Sequence, residues 1–308
     1  MEFIADVGGT NTRCALVNAD GSPHDIEVYA NSDFPSLTAA LTGYLASRNA
    51  NPRDAAVAVA APITGDSVRL TNRQWHFSIE ELRQDLGLDR LEVINDFSAV
   101  ALSLPHLQSS DYVQVGDAQG LRGHALAVLG PGTGLGVSGL IPGPGGYATL
   151  AGEGGHATLA TATPREMQVK AAITTQFGHC SAERVISGPG LVLLYNTLRE
   201  LAGATAADLE PHDVTQRADD GEPFAIETLD VFFGLLGSFA GNVALTLGAT
   251  GGVYIAGGVA AILIEKLQDS VFRERFEAKG RYRGYLKAIP TRVITHPTPA
   301  LIGLAAVV

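Results

Sequence analysis

The sequence predicts a mixed α/β protein built from two lobes, and three observations point to it. The chain has 308 residues, which is long for one compact core and sufficient for two. Strand patterns and helix patterns alternate through its first half, as in a mixed sheet covered by helices. A strand, a turn of glycine and threonine, and a second strand occur near residue 10 and again near residue 132. This recurrence indicates two lobes built on a related plan.

The elements of the first lobe follow from hydrophobic spacing and from turn residues. The long helix shows the clearest pattern, with Leu37, Leu41 and Leu45 on one face and Ser36 near its start. An apolar strand further along ends at Pro62, which cannot donate to a sheet. We predict strands at 3–5, 14–17, 26–29, 55–61 and 91–94, and helices at 33–49, 79–86 and 96–104.

The second lobe contains an uncharged stretch that could form either buried core elements or a membrane-spanning helix. No charged residue occurs between Asp230 and Glu265, and a membrane-spanning helix needs roughly 20 apolar residues. A Gly-Ala-Thr-Gly-Gly break interrupts the stretch, so we predict a helix, a turn, a buried strand and a second helix, with no membrane partner. The predicted elements are strands at 125–129, 137–141, 253–256 and 291–296, a turn at 130–134, and helices at 223–247 and 299–308.

The amino-acid composition limits the class of protein and the kinds of partner that the chain can bind. Apolar residues make up 46% of the chain and charged residues 17%, which is typical of a globular protein. The net charge of −11 argues against nucleic acid, because a nucleic-acid partner needs a basic face. Cys14 and Cys180 form neither a disulfide framework nor a zinc motif, and Cys14 is expected to be buried. Glu2 and Asp6 interrupt the first apolar run, so we expect no signal peptide and a cytoplasmic location.

Three glycine-bearing segments are candidates for binding phosphate: Gly8-Gly9-Thr10, Gly130–Gly136 and Gly257-Gly258. Glycine permits tight turns that leave N–H groups open to phosphate oxygens. One such turn can equally serve only to reverse the chain, but three together favour phosphate binding. Asp6 ends the first strand, where its carboxylate is placed to hold Mg²⁺ through a water molecule.

Two common nucleotide motifs are excluded. The residues 134–139 satisfy G-x-G-x-x-G, but that fingerprint must open a helix. Here a strand-like Val-Ser-Gly-Leu-Ile and then Pro-Gly-Pro follow, so the match is accidental. No Gly-Lys-Ser/Thr occurs, so a Walker A loop is absent as well.

Polar side chains of the kind that bind sugar hydroxyls occur at three places. Asn95 and Asp96 lie where a strand meets a helix, and Asp96 is either a helix cap or a chemical group. Glu153 and His156 are separated by two glycines, so both side chains can approach one small ligand. Glu183 opens a further helix, either as a first-turn acid or as a ligand.

Six segments of the chain resemble the signatures of bacterial glucokinases, and they occur in the same order as in that family. Ala60–Gly65, the residues 71–75 and the closing region 272–308 are also similar to that family. The segments are Phe-Ile-Ala-Asp-Val-Gly-Gly-Thr-Asn-Thr-Arg (3–13), Ile-Asn-Asp-Phe (94–97), Gly-Pro-Gly-Thr-Gly-Leu-Gly (130–136), Gly-Glu-Gly-Gly-His (152–156), Glu-Arg-Val-Ile-Ser-Gly-Pro-Gly-Leu (183–191) and Tyr-Ile-Ala-Gly-Gly-Val (254–259).

The resemblance implies a two-domain α/β fold of the actin-like (ribonuclease H-like) ATPases, with a cleft between the domains. The implied small domain comprises residues 1–106 and 297–308, and the implied large domain comprises residues 107–296. The implied reaction transfers a phosphoryl group from ATP to the 6-hydroxyl of glucose, which gives glucose 6-phosphate. Mg²⁺ and a homodimer are implied as well.

The resemblance also implies roles for individual residues. Asp96 would be the catalytic base. The residues expected to hold the sugar are Asn95, Asp96, Glu153, His156 and Glu183. The residues expected at the nucleotide are Asp6, Gly8, Gly9, Thr10, Asn11, Gly132, Thr133, Gly257 and Gly258, with Asp6 also at Mg²⁺.

Two features qualify the resemblance. The cysteine-rich zinc motif of a related branch is missing, so His156 is expected to contact sugar instead of a metal. Pro131 stands where a small residue is more usual, and it removes one N–H from the second phosphate turn. Alternative acceptors are mannose, fructose or an N-acetylated hexosamine. A sugar-responsive regulator would need a helix-turn-helix ahead of Phe3, where we expect none.

Overall fold

The computed structural model describes Met1–Leu70 and Trp75–Val308, and these residues form two compact units. Unit 1 comprises Met1–Gln108, Tyr147–Gly152 and His296–Val308, and unit 2 comprises Ser109–Gly146 and Glu153–Thr295. The family-like segment at 71–74 lies outside the described residues. The domain boundaries stated above stay a prediction.

The strands are β1 (Glu2–Val7), β2 (Asn11–Val17), β3 (Pro23–Ala30), β4 (Asp54–Val59), β5 (Ser67–Arg69), β6 (His76–Ser78), β7 (Arg90–Asn95), β8 (Tyr112–Val115), β9 (Leu126–Pro131), β10 (Leu135–Gly143), β11 (Gly146–Gly152), β12 (Gly252–Ile255) and β13 (Thr291–Ile294). The helices are α1 (Leu37–Ser47), α2 (Ile79–Asp85), α3 (Asp96–Ser103), α4 (Pro164–Phe177), α5 (Ala182–Val185), α6 (Gly188–Leu201), α7 (Pro211–Asp219), α8 (Pro223–Leu247), α9 (Gly258–Ile262), α10 (Ile264–Gln268), α11 (Phe272–Glu277), α12 (Arg283–Lys287) and α13 (Pro299–Ala305). Single 3-10 turns lie at Asn31–Asp33, Gly154–His156 and Gly280–Tyr282.

The main sheet of unit 1 has the order β3-β2-β1-β4-β7. Its first three strands are antiparallel neighbours, while β1, β4 and β7 run parallel. Val7 is in register with Val59, and Val59 with Asn95. The turn that follows β1 and the polar pair that ends β7 therefore lie at one carboxyl edge. Two strand spacings, or about 10 Å, separate them.

The main sheet of unit 2 repeats this plan, with β10, β9, β12, β13 and β8 as neighbours in that order. β9 and β10 form an antiparallel hairpin, and β12 and β13 run parallel to β9. The edge strand β8 is antiparallel to β13. Both sheets thus place a glycine turn between two antiparallel neighbours, β1 and β2 in unit 1 and β9 and β10 in unit 2. The predicted recurrence of one plan is confirmed.

The long helix α8, which carries no charged residue after Asp230, belongs to the core of unit 2. Its side chains Phe232, Phe233 and Leu236 are almost wholly buried. In the part of the chain that the structure describes, α8 is long and apolar enough to cross a membrane, yet 78% of its most apolar window is buried inside the protein. Pro223 stands in its first turn, and Gly248, with φ 61°, ends it in the left-handed conformation. The burial of α8 is therefore typical of a core helix.

Most predicted elements are confirmed within a few residues, and the differences have local causes. β9 continues through Pro131, so the predicted turn at 130–134 shortens to 132–134. A proline can end a strand because only its N–H is missing, and its carbonyl remains available. The single helix predicted after β12 is divided into α9 and α10 near Leu263. The helices α4, α6, α7, α11 and α12 and the strands β5, β6, β8 and β11 were not predicted.

Candidate functional site

The first glycine turn closes on itself. The N–H of Gly8 donates to the carbonyl of Asn11 at 2.9 Å, so this N–H already has a partner inside the turn. Thr10 is exposed at the tip. Any phosphate contact by backbone N–H groups is therefore expected from Gly9 and Thr10, and Gly8 serves the shape of the turn.

A buried asparagine outside every sequence motif holds this turn. The backbone N–H of Asn31 donates to Thr10 O at 2.8 Å, and its Nδ2 donates to Gly8 O at 2.8 Å. Its Oδ1 accepts from the hydroxyl of buried Thr12 at 2.7 Å. Sequence reasoning missed Asn31 because an asparagine after a strand looks like an ordinary turn residue. Only the fold shows that one residue binds two carbonyls of the turn.

Asp6 lies beside the first turn and fits the role of an outer magnesium ligand. Its Oδ2 accepts from Arg13 Nη1 at 3.1 Å, across the β1–β2 pair. Burial raises the pKa of the Asp6 carboxyl, while the Arg13 guanidinium acts in the opposite direction. Among the described residues, no three His, Cys, Asp or Glu side chains form a metal cage. One carboxylate agrees with Mg²⁺ that keeps water and phosphate ligands.

Asn95 and Asp96 lie where β7 meets α3, and the structure gives the role of helix cap to a different residue than the sequence interpretation considered. Asn95, and not Asp96, is the N-cap of α3, because its Oδ1 accepts from the N–H groups of Phe97 at 2.9 Å and Ser98 at 3.2 Å. Asn95 Nδ2 lies 3.4 Å from Ala61 O, so this weakly held amide has donor capacity for a ligand. Asp96 is the first helical residue, and its Oδ1 accepts from Phe97 N at 2.9 Å. Its half-buried carboxylate is thus anchored by the backbone.

In unit 2 the second glycine turn meets two further glycine segments. Gly132 N donates to Gly134 O, and Gly132 O accepts from Gly188 N, each at 2.8 Å. Gly257 has φ 87°, and a Cβ there would lie 2.4 Å from the Pro131 carbonyl. Only glycine fits this approach without strain. Gly188, at the start of α6, was not among the predicted site residues, although the family-like segment at 183–191 contains it.

Exposed Thr133 stands at the tip of this turn, as Thr10 does in unit 1. A Cβ on Gly258 would meet no atom within 4 Å. The structure therefore brings the turn 132–134, the start of α6 and the 257–258 segment together within unit 2.

The predicted sugar-binding residues of unit 2 lie on two segments that pair with each other. Leu159 N donates to Cys180 O and Ala182 N donates to Ala157 O, each at 2.9 Å. This pairing leaves His156 Nδ1 3.7 Å from Glu183 Oε1. Both side chains are partly exposed, at 61% and 32%. A solvent-accessible imidazole beside a carboxylate can bind adjacent hydroxyls.

Glu153 is exposed and directly precedes the 3-10 turn that carries His156. Its carbonyl accepts from His156 N at 3.0 Å. The structure thus joins His156 with Glu183, and Asn95 with Asp96. That the residues of both units hold one sugar stays a prediction.

The repeated sheet plan, with a glycine turn at each sheet edge and an acid at a strand end, defines a sugar kinase of the actin-like ATPase fold. A family model described as glucokinase matches residues 3–308. The chain belongs to the glucokinase family, whose members phosphorylate glucose with ATP.

Individual relatives support this family assignment. A glucokinase of Paramagnetospirillum magneticum is 49% identical over 100% of this chain and 97% of its own length. A glucokinase of Aromatoleum aromaticum is 48% identical over 98% and 93%. The crystal structure of a glucokinase from an Antarctic psychrotroph superposes with a TM-score of 0.90 at 37% identity, covering 99% of this chain and 98% of that one.

Proposed function

We propose that this protein transfers the γ-phosphoryl group of ATP to the 6-hydroxyl of glucose, giving glucose 6-phosphate and ADP. One observation carries the proposal. Asp96 stands at the carboxyl edge of the unit 1 sheet, two strands away from the glycine turn that follows β1. A base and a phosphate turn at one sheet edge suit transfer between an acceptor and a nucleotide, because open α/β sheets bind ligands at this edge.

The chemistry assigned to Asp96 is proton removal. The 6-oxygen forms a bond to the γ-phosphorus while the bond from that phosphorus to the β,γ-bridging oxygen breaks. The hydroxyl proton passes to the Asp96 carboxylate, and ADP leaves with the bridging oxygen. A positioned base contributes about 10²–10⁴-fold, and positioning with charge stabilisation supplies the rest.

The acceptor is held by hydrogen bonds to its hydroxyls. In unit 1 Asn95 offers its Nδ2, whose bond to Ala61 O is long at 3.4 Å. In unit 2 the sugar contacts assigned are Glu153, His156 and Glu183. Carboxylates accept and an imidazole can both donate and accept, so these groups discriminate hydroxyl patterns.

The donor is assigned to the glycine segments of each unit. Backbone N–H groups of Gly9, Thr10 and Thr133 would face phosphate oxygens, and the two threonine hydroxyls add donors. Gly132 would shape the second turn, because its N–H already donates to Gly134 O. Asn11, Gly257 and Gly258 complete the donor set, in which Gly8 shapes the first turn. Mg²⁺ would supply charge neutralisation at the phosphates, and Asp6 would hold it through water.

Replacing Asn31 by alanine is expected to raise KM for ATP several-fold and to lower the unfolding free energy by about 1–3 kcal/mol. The substitution removes the bond to Gly8 O and leaves the buried Thr12 hydroxyl without its Asn31 acceptor. Steady-state kinetics and denaturant unfolding measure the two effects. Asn18→Ala is the control, because its amide also bonds within a turn, to Ser22 Oγ at 3.0 Å, but at an exposed site. A KM for ATP equal to that of the control would contradict a role for Asn31 in the donor turn.

A coupled assay of ADP release over a panel of hexoses tests the function itself. We expect glucose to have a kcat/KM far above mannose, fructose and N-acetylated hexosamines. A higher kcat/KM for one of these sugars would reassign the acceptor and keep the phosphoryl transfer. Absence of ATP turnover with every sugar would overturn the proposal and favour a sugar-responsive binding protein.

We further propose that the enzyme is a cytoplasmic homodimer, and the family resemblance is what supports this. Sedimentation velocity measures the mass in solution, and 32.1 kDa is the mass of one chain. A species of one chain at all concentrations would contradict the dimer.

A further inference from the structure

Glu183 contacts more than a sugar site. Its Oε2 accepts the backbone N–H of Leu135 at 2.9 Å, while its Oε1 lies 3.7 Å from His156 Nδ1. Leu135 is the first residue of β10 and directly follows the glycine turn 132–134. One carboxylate therefore touches the backbone of the second donor turn and a sugar-binding side chain. All of these groups belong to unit 2.

The bond to Leu135 lies at the first residue of β10, where the hairpin of β9 and β10 leaves its turn. Leu135 is opposite Pro131 in the hairpin. The N–H of Leu135 turns to Glu183, 48 positions further along the chain. Leu135 itself is buried, and a buried N–H without an acceptor costs free energy. Glu183 is thus the acceptor that satisfies this N–H.

The glycine before Leu135 leaves room for this carboxylate. A Cβ on Gly134 would lie 2.5 Å from Glu183 Oε2 and 3.2 Å from its carboxyl carbon. Any larger residue would push the Glu183 side chain away from Leu135 N. The close approach of the Glu183 carboxylate to the hairpin therefore depends on the glycine at position 134 as well as on Glu183.

We propose that Glu183 is a positioning residue for the second donor turn and couples the binding of sugar and nucleotide. The inference rests on the proposed function, since it assigns sugar to one side of Glu183 and phosphate to the other. Binding at either side restricts rotation of the same carboxylate, so the second ligand finds it already ordered. Linkage requires each ligand to raise the affinity for the other by the same factor. We expect a factor of about five, at the lower end of such couplings.

The test measures nucleotide binding with no sugar present. Titration calorimetry with a non-hydrolysable ATP analogue and Mg²⁺ is expected to show about fivefold weaker binding for Glu183→Ala than for the wild type. Glu183→Gln should restore most of the affinity, because the amide oxygen can still accept from Leu135 N. His156→Ala is the matched control, since it alters a sugar contact without touching the turn, and its nucleotide affinity should equal that of the wild type.

The reverse arm starts from the donor turn. Gly134→Ala is expected to weaken glucose binding about fivefold, because the added methyl group displaces the Glu183 carboxylate. Gly145→Ala is its control, since a Cβ at that position meets no atom within 4 Å. This second variant tests the inference even if Glu183→Ala fails to fold.

Equal nucleotide affinity in the wild type and a folded Glu183→Ala, or equal glucose affinity in Gly134→Ala and Gly145→Ala, would overturn the inference. These binding measurements do not depend on turnover. Failure of the wild type to phosphorylate any hexose would overturn the proposed function instead, so the two failures are distinguishable.

Discussion

Replacing Asp96 by asparagine is expected to lower kcat by about 10²–10⁴-fold while glucose still binds. The fold should survive, because asparagine retains an oxygen for the Phe97 N–H that Asp96 Oδ1 accepts. Asn95 remains as the cap of α3. The amide cannot take up the proton of the 6-hydroxyl, and this loss amounts to about 3–5 kcal/mol of transition-state stabilisation.

Steady-state kinetics for kcat, and calorimetry for glucose affinity, separate the two effects. Glu92→Gln is a suitable control, because it neutralises a carboxylate on β7, the strand that precedes Asp96, and this carboxylate lies 3.8 Å from Arg90. A kcat for Asp96→Asn within about twofold of the control would remove Asp96 from the role of base.

Replacing Gly155 by alanine is expected to be the most damaging change in unit 2. A Cβ there would lie 2.0 Å from the carbonyl oxygen of Leu135 and 3.0 Å from its carbonyl carbon. Both are backbone atoms, so no flexible side chain can give way, and overpacking of this kind costs about 1–3 kcal/mol. The turn 154–156 must move away from β10, and His156 moves with it.

The functional consequence should exceed the loss of stability. A displacement of about 1 Å at a binding group can lower activity about 10²-fold. We therefore expect kcat/KM for glucose to fall by about that factor, with a lower Tm. Gly152→Ala is the matched control three residues earlier, since a Cβ at Gly152 meets no atom within 4 Å. Identical melting and kinetics of the two variants would show that the close approach to Leu135 is not required.

Much of the architecture could be predicted locally. The strand-turn-strand units depend on alternation and on glycines that are neighbours in the chain, and both were found where expected. The helix 223–247 was predicted with its observed bounds, because Pro223 and Gly248 mark its ends. Residue types also sufficed to nominate Asn95, Asp96 and Glu153, since the nomination needs only their chemistry.

The contacts that organise the candidate site could not be predicted in this way. Asn31 reaches Gly8 across 23 positions, and Glu183 reaches Leu135 across 48. No periodicity records such pairs, because they depend on how separate segments pack. Even between neighbours, the fold decided that Asn95 caps α3 and Asp96 does not.

The sequence by itself determined the α/β class, the repeated hairpin plan and the family signatures, because these depend on local spacing and residue type. Only the tertiary structure decided which N–H groups already have partners and which side chain serves two segments. Gly8 and Leu135 illustrate the reason. A backbone N–H must find an acceptor when it is buried, and the packed chain alone selects which acceptor is within reach.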